Sequence, residues 1–142
     1  MRTIDIHAHL VPQSLWRAAE AGVPWHGYRH EPGEGLGTVI GGGRRIQFNS
    51  PKVRFTPEER LADMDSLGVD VHVVSTYVGF YNYHLPVEVA RATSAATNDE
   101  IAGMIRAWPE RFAGLGTVPM QDVKAAIAAG QQVPAGYAEV VD

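Results

Sequence analysis

Cysteine is absent from this 142-residue chain, which excludes a disulfide scaffold, a thiolate metal site and a cysteine nucleophile, and fits a cytoplasmic protein. Long apolar runs are missing too. None approaches the roughly 18 residues of a membrane span, and the N-terminus shows no apolar segment of a secretory signal. Basic clusters are lacking apart from Arg44-Arg45, and the formal net charge is -4. Neither nucleic acid nor an anionic membrane is therefore the expected partner, which leaves a small molecule. A Gly-x-Gly-x-x-Gly run after the first apolar segment is also missing, which counts against a dinucleotide fold. What remains, 45% hydrophobic and 20% charged residues, is the composition of one ordinary soluble domain.

The chemistry concentrates at the start, in Ile4-Asp5-Ile6-His7-Ala8-His9-Leu10. Side chains alternate along a strand, so His7 and His9 are expected on one face together with Asp5, and Ile4, Ile6 and Ala8 on the other. Two adjacent imidazoles can chelate one divalent ion, zinc foremost, but they are only part of a shell that needs about three protein ligands. Asp5 is placed as a group that orients a ligand from behind, with a structural role in a barrel interior as the alternative.

Downstream, strands and helices alternate. Thr3 to His9 reads as a strand, Val11 to Ala21 as a helix stopped by Gly22 and Pro24, and 22–55 as a glycine-rich insertion. Within the insertion, Thr38–Ile40 and Arg45–Phe48 flank Gly41-Gly42-Gly43 as a small hairpin. Thr56-Pro57-Glu58-Glu59 is a capping box opening a helix that Gly68 ends. Val69–Ser75 is a β-branched strand, Pro86–Trp108 a helix closed by Pro109, Arg111–Val118 a third strand, and Asp122–Ala129 a third helix. About three βα units follow one another, the pattern of a parallel α/β fold; metal ligands at the end of strand one favour a partial (β/α)8 TIM barrel over an open sheet. The whole chain, 1–142, is read as one partial barrel domain, with 130–142 as an atypical tail.

Four blocks then resemble the amidohydrolase superfamily, in the branch of aminocarboxymuconate semialdehyde decarboxylase. They are Ile4 to Pro12, Arg60-Leu61-Ala62-Asp63-Met64-Asp65-Ser66-Leu67-Gly68-Val69-Asp70, Asn98-Asp99-Glu100 leading to Trp108-Pro109-Glu110-Arg111-Phe112, and Gly116-Thr117-Val118-Pro119-Met120-Gln121-Asp122. The resemblance implies a metal-dependent barrel enzyme with His7 and His9 as its first two ligands. The implied reaction is hydrolysis or non-oxidative decarboxylation of a small carboxylate or cyclic substrate. The family's further ligands, a later His and Asp, and its acid/base His have no counterpart in these blocks. An alternative is therefore a non-catalytic portion of a barrel that persists as a homo-oligomer or is completed by another chain.

Around the expected strand ends, Arg44 and Arg45 are candidates to grip a substrate carboxylate, since guanidinium presents a bidentate fork beside glycines that let a hairpin fold over a ligand. Solvated charge at a hairpin tip is the alternative. Tyr81 and His84, in the loop after the second parallel strand, are candidate pocket-lining residues, with packing over the helix tops as the alternative. His26 and His30 are read as surface residues of the insertion and His72 as a core residue.

Overall fold

In the computed structural model of this protein, residues 1–48 and 50–131 are described. Three parallel strands, β1 (Ile4–Leu10), β5 (Val71–Thr76) and β6 (Phe112–Leu115), pair in the order β1-β5-β6. Helices link and cover them: α1 (Gln13–Glu20), α2 (Pro57–Leu67), α3 (Val87–Ala107) and, after β6, α4 (Val123–Gly130). Between α1 and α2 lies a second sheet, antiparallel, of β2 (Arg29–Glu31), β3 (Thr38–Gly41) and β4 (Arg44–Gln47).

Local chemistry fixes these boundaries. Thr56 Oγ1 accepts from Glu59 N–H at 3.3 Å and Glu59 returns to the Thr56 N–H at 2.8 Å, the reciprocal cap expected at the start of α2. Gly68, at φ 67°, ends that helix, and the Val69 N–H turns back to the Met64 carbonyl. That closure keeps Val69 and Asp70 out of β5, which starts two residues later than the β-branched run does. Likewise β6 stops at Leu115, short of Val118, because the backbone of Thr117 pairs with the Asn98 side chain: its N–H donates to Oδ1, and its carbonyl accepts from Nδ2, both at 2.9 Å. The α3 carboxylate of Glu100 takes the Gln13 N–H at 2.7 Å, so a neighbouring helix caps α1.

Two apolar clusters stabilise the arrangement. One lies between the parallel sheet and its helices and joins Ala8, Leu10, Met64, Val74, Ile101, Met104 and Phe112. The other joins α1, the small sheet and the turn after β5 through Leu15, Trp16, Trp25, Tyr28, Val39, Ile46 and Phe80. The glycine-rich insertion is thus packed down by aromatics, and it holds three strands where the residue pattern showed two. Its hairpin turns through Gly42 and Gly43, at φ 57° and 71°, the two-residue turn whose twist matches the flanking strands. The expected atypical tail lies, from residue 132 onward, outside the described residues.

Candidate metal centre

Register in the parallel sheet decides where each side chain of β1 points. Ile4 pairs with Val71 and Asp5 with His72, but Ala8 pairs with Val74, His9 with Ser75 and Leu10 with Thr76. Between Asp5 and Ala8 the first strand takes three steps while its partner takes two. This is a β-bulge. The expectation from strict alternation is therefore corrected: Asp5 stands on the face of His72, Val74, Ala8 and Leu10, against the helices, and not with His9. Ile4 moves the other way, and Ile4 and Ile6 are 55% and 77% exposed on a side that the described residues leave uncovered. The apolar face of β1 is Ala8 and Leu10.

His7 and His9 do come together. Their ring centroids are 4.9 Å apart and nearly perpendicular, at 81°. His9 Nδ1 and Ser75 Oγ are hydrogen-bonded at 3.1 Å, and the Tyr77 ring stands edge-on at 6.1 Å. When Nδ1 carries the proton, Nε2 is left with its lone pair outward, the usual arrangement for a ligating histidine held from behind. Burial first, and then the neighbouring His7, hold the His9 imidazole below the ordinary histidine range, which favours the neutral form that binds metals. Two imidazole nitrogens placed in this way fit half the shell of a divalent ion. Among the described residues no group of three His, Cys, Asp or Glu side chains gathers to complete it.

Beneath the pair runs a polar layer that the residue pattern did not reveal. Arg60, buried in α2, donates from Nη2 to the His9 carbonyl at 3.0 Å. His72 is buried as expected; its Nε2 stands 3.4 Å from Asp5 Oδ2 and its Nδ1 meets no partner among the described residues. Burial, followed by the Arg60 cation, pushes His72 below the ordinary histidine range in spite of Asp5, so the 3.4 Å approach joins a neutral imidazole to a carboxylate. Ser75 and Tyr77 were equally hidden in sequence. The signal that could have found Ser75 is its pairing with His9, which depends on the bulge.

The other candidates gather on the hairpin and the loop after β5. His84 Nε2–H donates to the Gly42 carbonyl at 3.0 Å, joining that loop to the hairpin tip. Tyr81 stacks on Tyr83 with centroids 5.7 Å apart. Arg45 is paired with Glu31 at 3.3 Å, whereas Arg44 forms no ion pair among the described residues. His30 Nε2–H donates to the Leu36 carbonyl at 2.7 Å, half-buried rather than on the surface, and His26 is exposed.

Residues 4–136 match the protein-family profile described as amidohydrolase. The chain is 28% identical over 127 residues to the 2-amino-3-carboxymuconate-6-semialdehyde decarboxylase of Caenorhabditis elegans, covering 89% of this chain and 31% of that protein. It is also 28% identical to the protein of the same name from Dictyostelium discoideum, over 87% of this chain and 34% of that one. The chain thus spans about a third of the length of these relatives. Among solved structures, the 5-carboxyvanillate decarboxylase of Sphingomonas paucimobilis superposes with a TM-score of 0.63 at 24% identity, over 93% of this chain and 39% of that one. A dihydroxybenzoic acid decarboxylase from Polaromonas, solved with manganese and 2-nitroresorcinol, superposes at 0.59 with 20% identity, over 91% and 34%. The fold is that of part of their barrel: a parallel sheet with helices packed on one side.

Proposed function

Because the chain belongs to the amidohydrolase family, we propose that it carries the first two metal ligands, His7 and His9, of a metal-dependent enzyme that removes CO2 from a small carboxylate. The two relatives named as decarboxylases support that outcome over hydrolysis, the wider class. The observation that carries the reading is the pair of imidazoles 4.9 Å apart, one of them anchored through Nδ1. A bound divalent ion supplies Lewis-acid polarisation of a substrate oxygen. The residues of this chain would hold part of that site: His7 and His9 present lone pairs, Ser75 fixes the His9 ring, and Arg60 fixes the strand end that bears it. Zinc is the proposed ion on the chemistry of two nitrogen donors, and manganese is the competitor to test. Arg44 is the proposed carboxylate grip, since Arg45 is partly engaged by Glu31; Tyr81 and His84 line the same loop cluster.

The uncovered side of β1, with Ile4 and Ile6 exposed, favours a second reading in which the chain is inactive alone and pairs with a complementing chain or a second copy. Elemental analysis after equilibration with zinc and with manganese, on the wild type and on a His7→Ala/His9→Ala double variant, tests the metal site. Near-stoichiometric ion lost in the variant supports the proposal; equal metal in both proteins, or none in either, overturns it. Light scattering of the same samples tests the second reading, which a strictly monomeric, decarboxylating chain would refute.

A further inference from the structure

Strict alternation would already place His7 and His9 on one face, yet the strand between Asp5 and His9 is not regular. One extra residue between Asp5 and Ala8 shifts the register against β5, so the orientation of His7 depends on how the bulge is held. The Asp5 carboxylate lies at this bulge. Oδ1 accepts from the His7 N–H at 2.9 Å, two residues ahead, and Oδ2 lies 3.4 Å from His72 Nε2 on the neighbouring strand. One side chain therefore accepts a hydrogen bond from the backbone within the bulged stretch and lies close to His72 of β5. His9 has a separate anchor, since Arg60 binds its carbonyl and Ser75 its ring.

We infer that Asp5 is a positioning residue that locks the bulge and so turns the His7 ring toward His9, acting through the backbone rather than on the ring or on an ion. Its functional meaning rests on the reading of the two histidines as a ligand pair, but the ring alignment itself can be read without metal. Asp5→Ala removes the acceptor. Asp5→Asn retains one oxygen for the His7 N–H. With labelled histidine, the wild-type chain gives a His7–His9 ring cross-peak and a slowly exchanging His7 amide. In Asp5→Ala the cross-peak is lost and His7 amide exchange rises at least about tenfold, while the His9–Tyr77 ring contact and the β5–β6 amide pattern persist; Asp5→Asn restores both His7 signals. Divalent-ion affinity falls by about 10- to 100-fold in Asp5→Ala.

A persistent His7–His9 cross-peak in Asp5→Ala, or the loss of that cross-peak in a folded Asp5→Asn, overturns the inference. Should Asp5→Ala fail to fold, Asp5→Asn and the wild-type amide decide, and an unprotected His7 amide in the wild type also overturns it. A chain that shows every expected ring signal and binds no zinc, manganese or cobalt leaves the lock standing and refutes the metal centre.

Discussion

Substituting glycines of the Gly41-Gly42-Gly43 run separates steric from conformational demand at the hairpin that reaches the loop after β5. Gly41 has no positive φ, but a Cβ there would lie 2.7 Å from Tyr28 Cγ and 2.9 Å from Tyr28 Cα. Backbone cannot yield as the end of a flexible side chain can, and Tyr28 is buried, with its hydroxyl bonded to Asn82 Oδ1. Gly41→Ala therefore costs about 1–3 kcal/mol, the range for forcing atoms into a filled core. Gly43 is the reverse case: its φ is 71° and no heavy atom comes within 4 Å of the added Cβ. Gly43→Ala costs only the left-handed backbone, about 1–2 kcal/mol. Because Asn tolerates that region, Gly43→Asn recovers most of the loss, whereas Gly41→Asn, being larger than Ala, recovers none. Urea unfolding of the four variants, read at the midpoint with constant slope, measures the differences. Equal recovery by Asn at both positions, or a Gly41→Ala protein as stable as wild type, would refute the steric account.

Thr56→Ala removes half of the reciprocal cap on α2 and is expected to lower stability by about 1 kcal/mol in the same unfolding assay. Met64→Ala empties a fully buried site between sheet and helices, with an expected loss of about 2–5 kcal/mol. His72 faces Arg60, Asp5, Asp63 and Arg111. Held below its ordinary value, it binds a proton more weakly in the folded than in the unfolded chain. Its contribution is therefore intact above about pH 6.5 and is lost as pH falls through the lower folded value. Thermal melts from pH 7.5 to 5 should show that decline, and His72→Gln should flatten it; an unchanged pH slope in the variant would exclude His72 as its source. Glu100 is pushed above the usual carboxylate range by burial, against the Gln13 and Ser14 amides. Glu100→Ala strips the first-turn amides of α1 of their acceptor, and helical signal near α1, read by amide exchange, should fall first.

Much of the architecture could be read in the residues because it is built from local rules. The capping box at Thr56 and the helix end at Gly68 each need only their neighbours in sequence and appear where their chemistry puts them. The β-branched run before Ser75 does form a strand, although it starts two residues late, at Val71. Ends set by distant partners were less legible. The strand after Arg111 is cut short by the side chain of Asn98, and the insertion gains β2 because Arg29–Glu31 finds β3, a pairing that carries little periodicity of its own. The substrate candidates were legible only as residue types: nothing in the sequence separates Arg45, tied to Glu31, from Arg44.

By itself the sequence determined an alternating α/β chain with two imidazoles two residues apart near its start, because hydrophobic period, caps and motif spacing are properties of short segments. Only the tertiary structure decided which face Asp5 takes, that Ser75 and Arg60 brace His9, and that Ile4 and Ile6 are left exposed. The reason is register. A single extra residue in β1 reverses the side-chain phase before it relative to the phase after it, and that offset exists only when the strand is laid against β5.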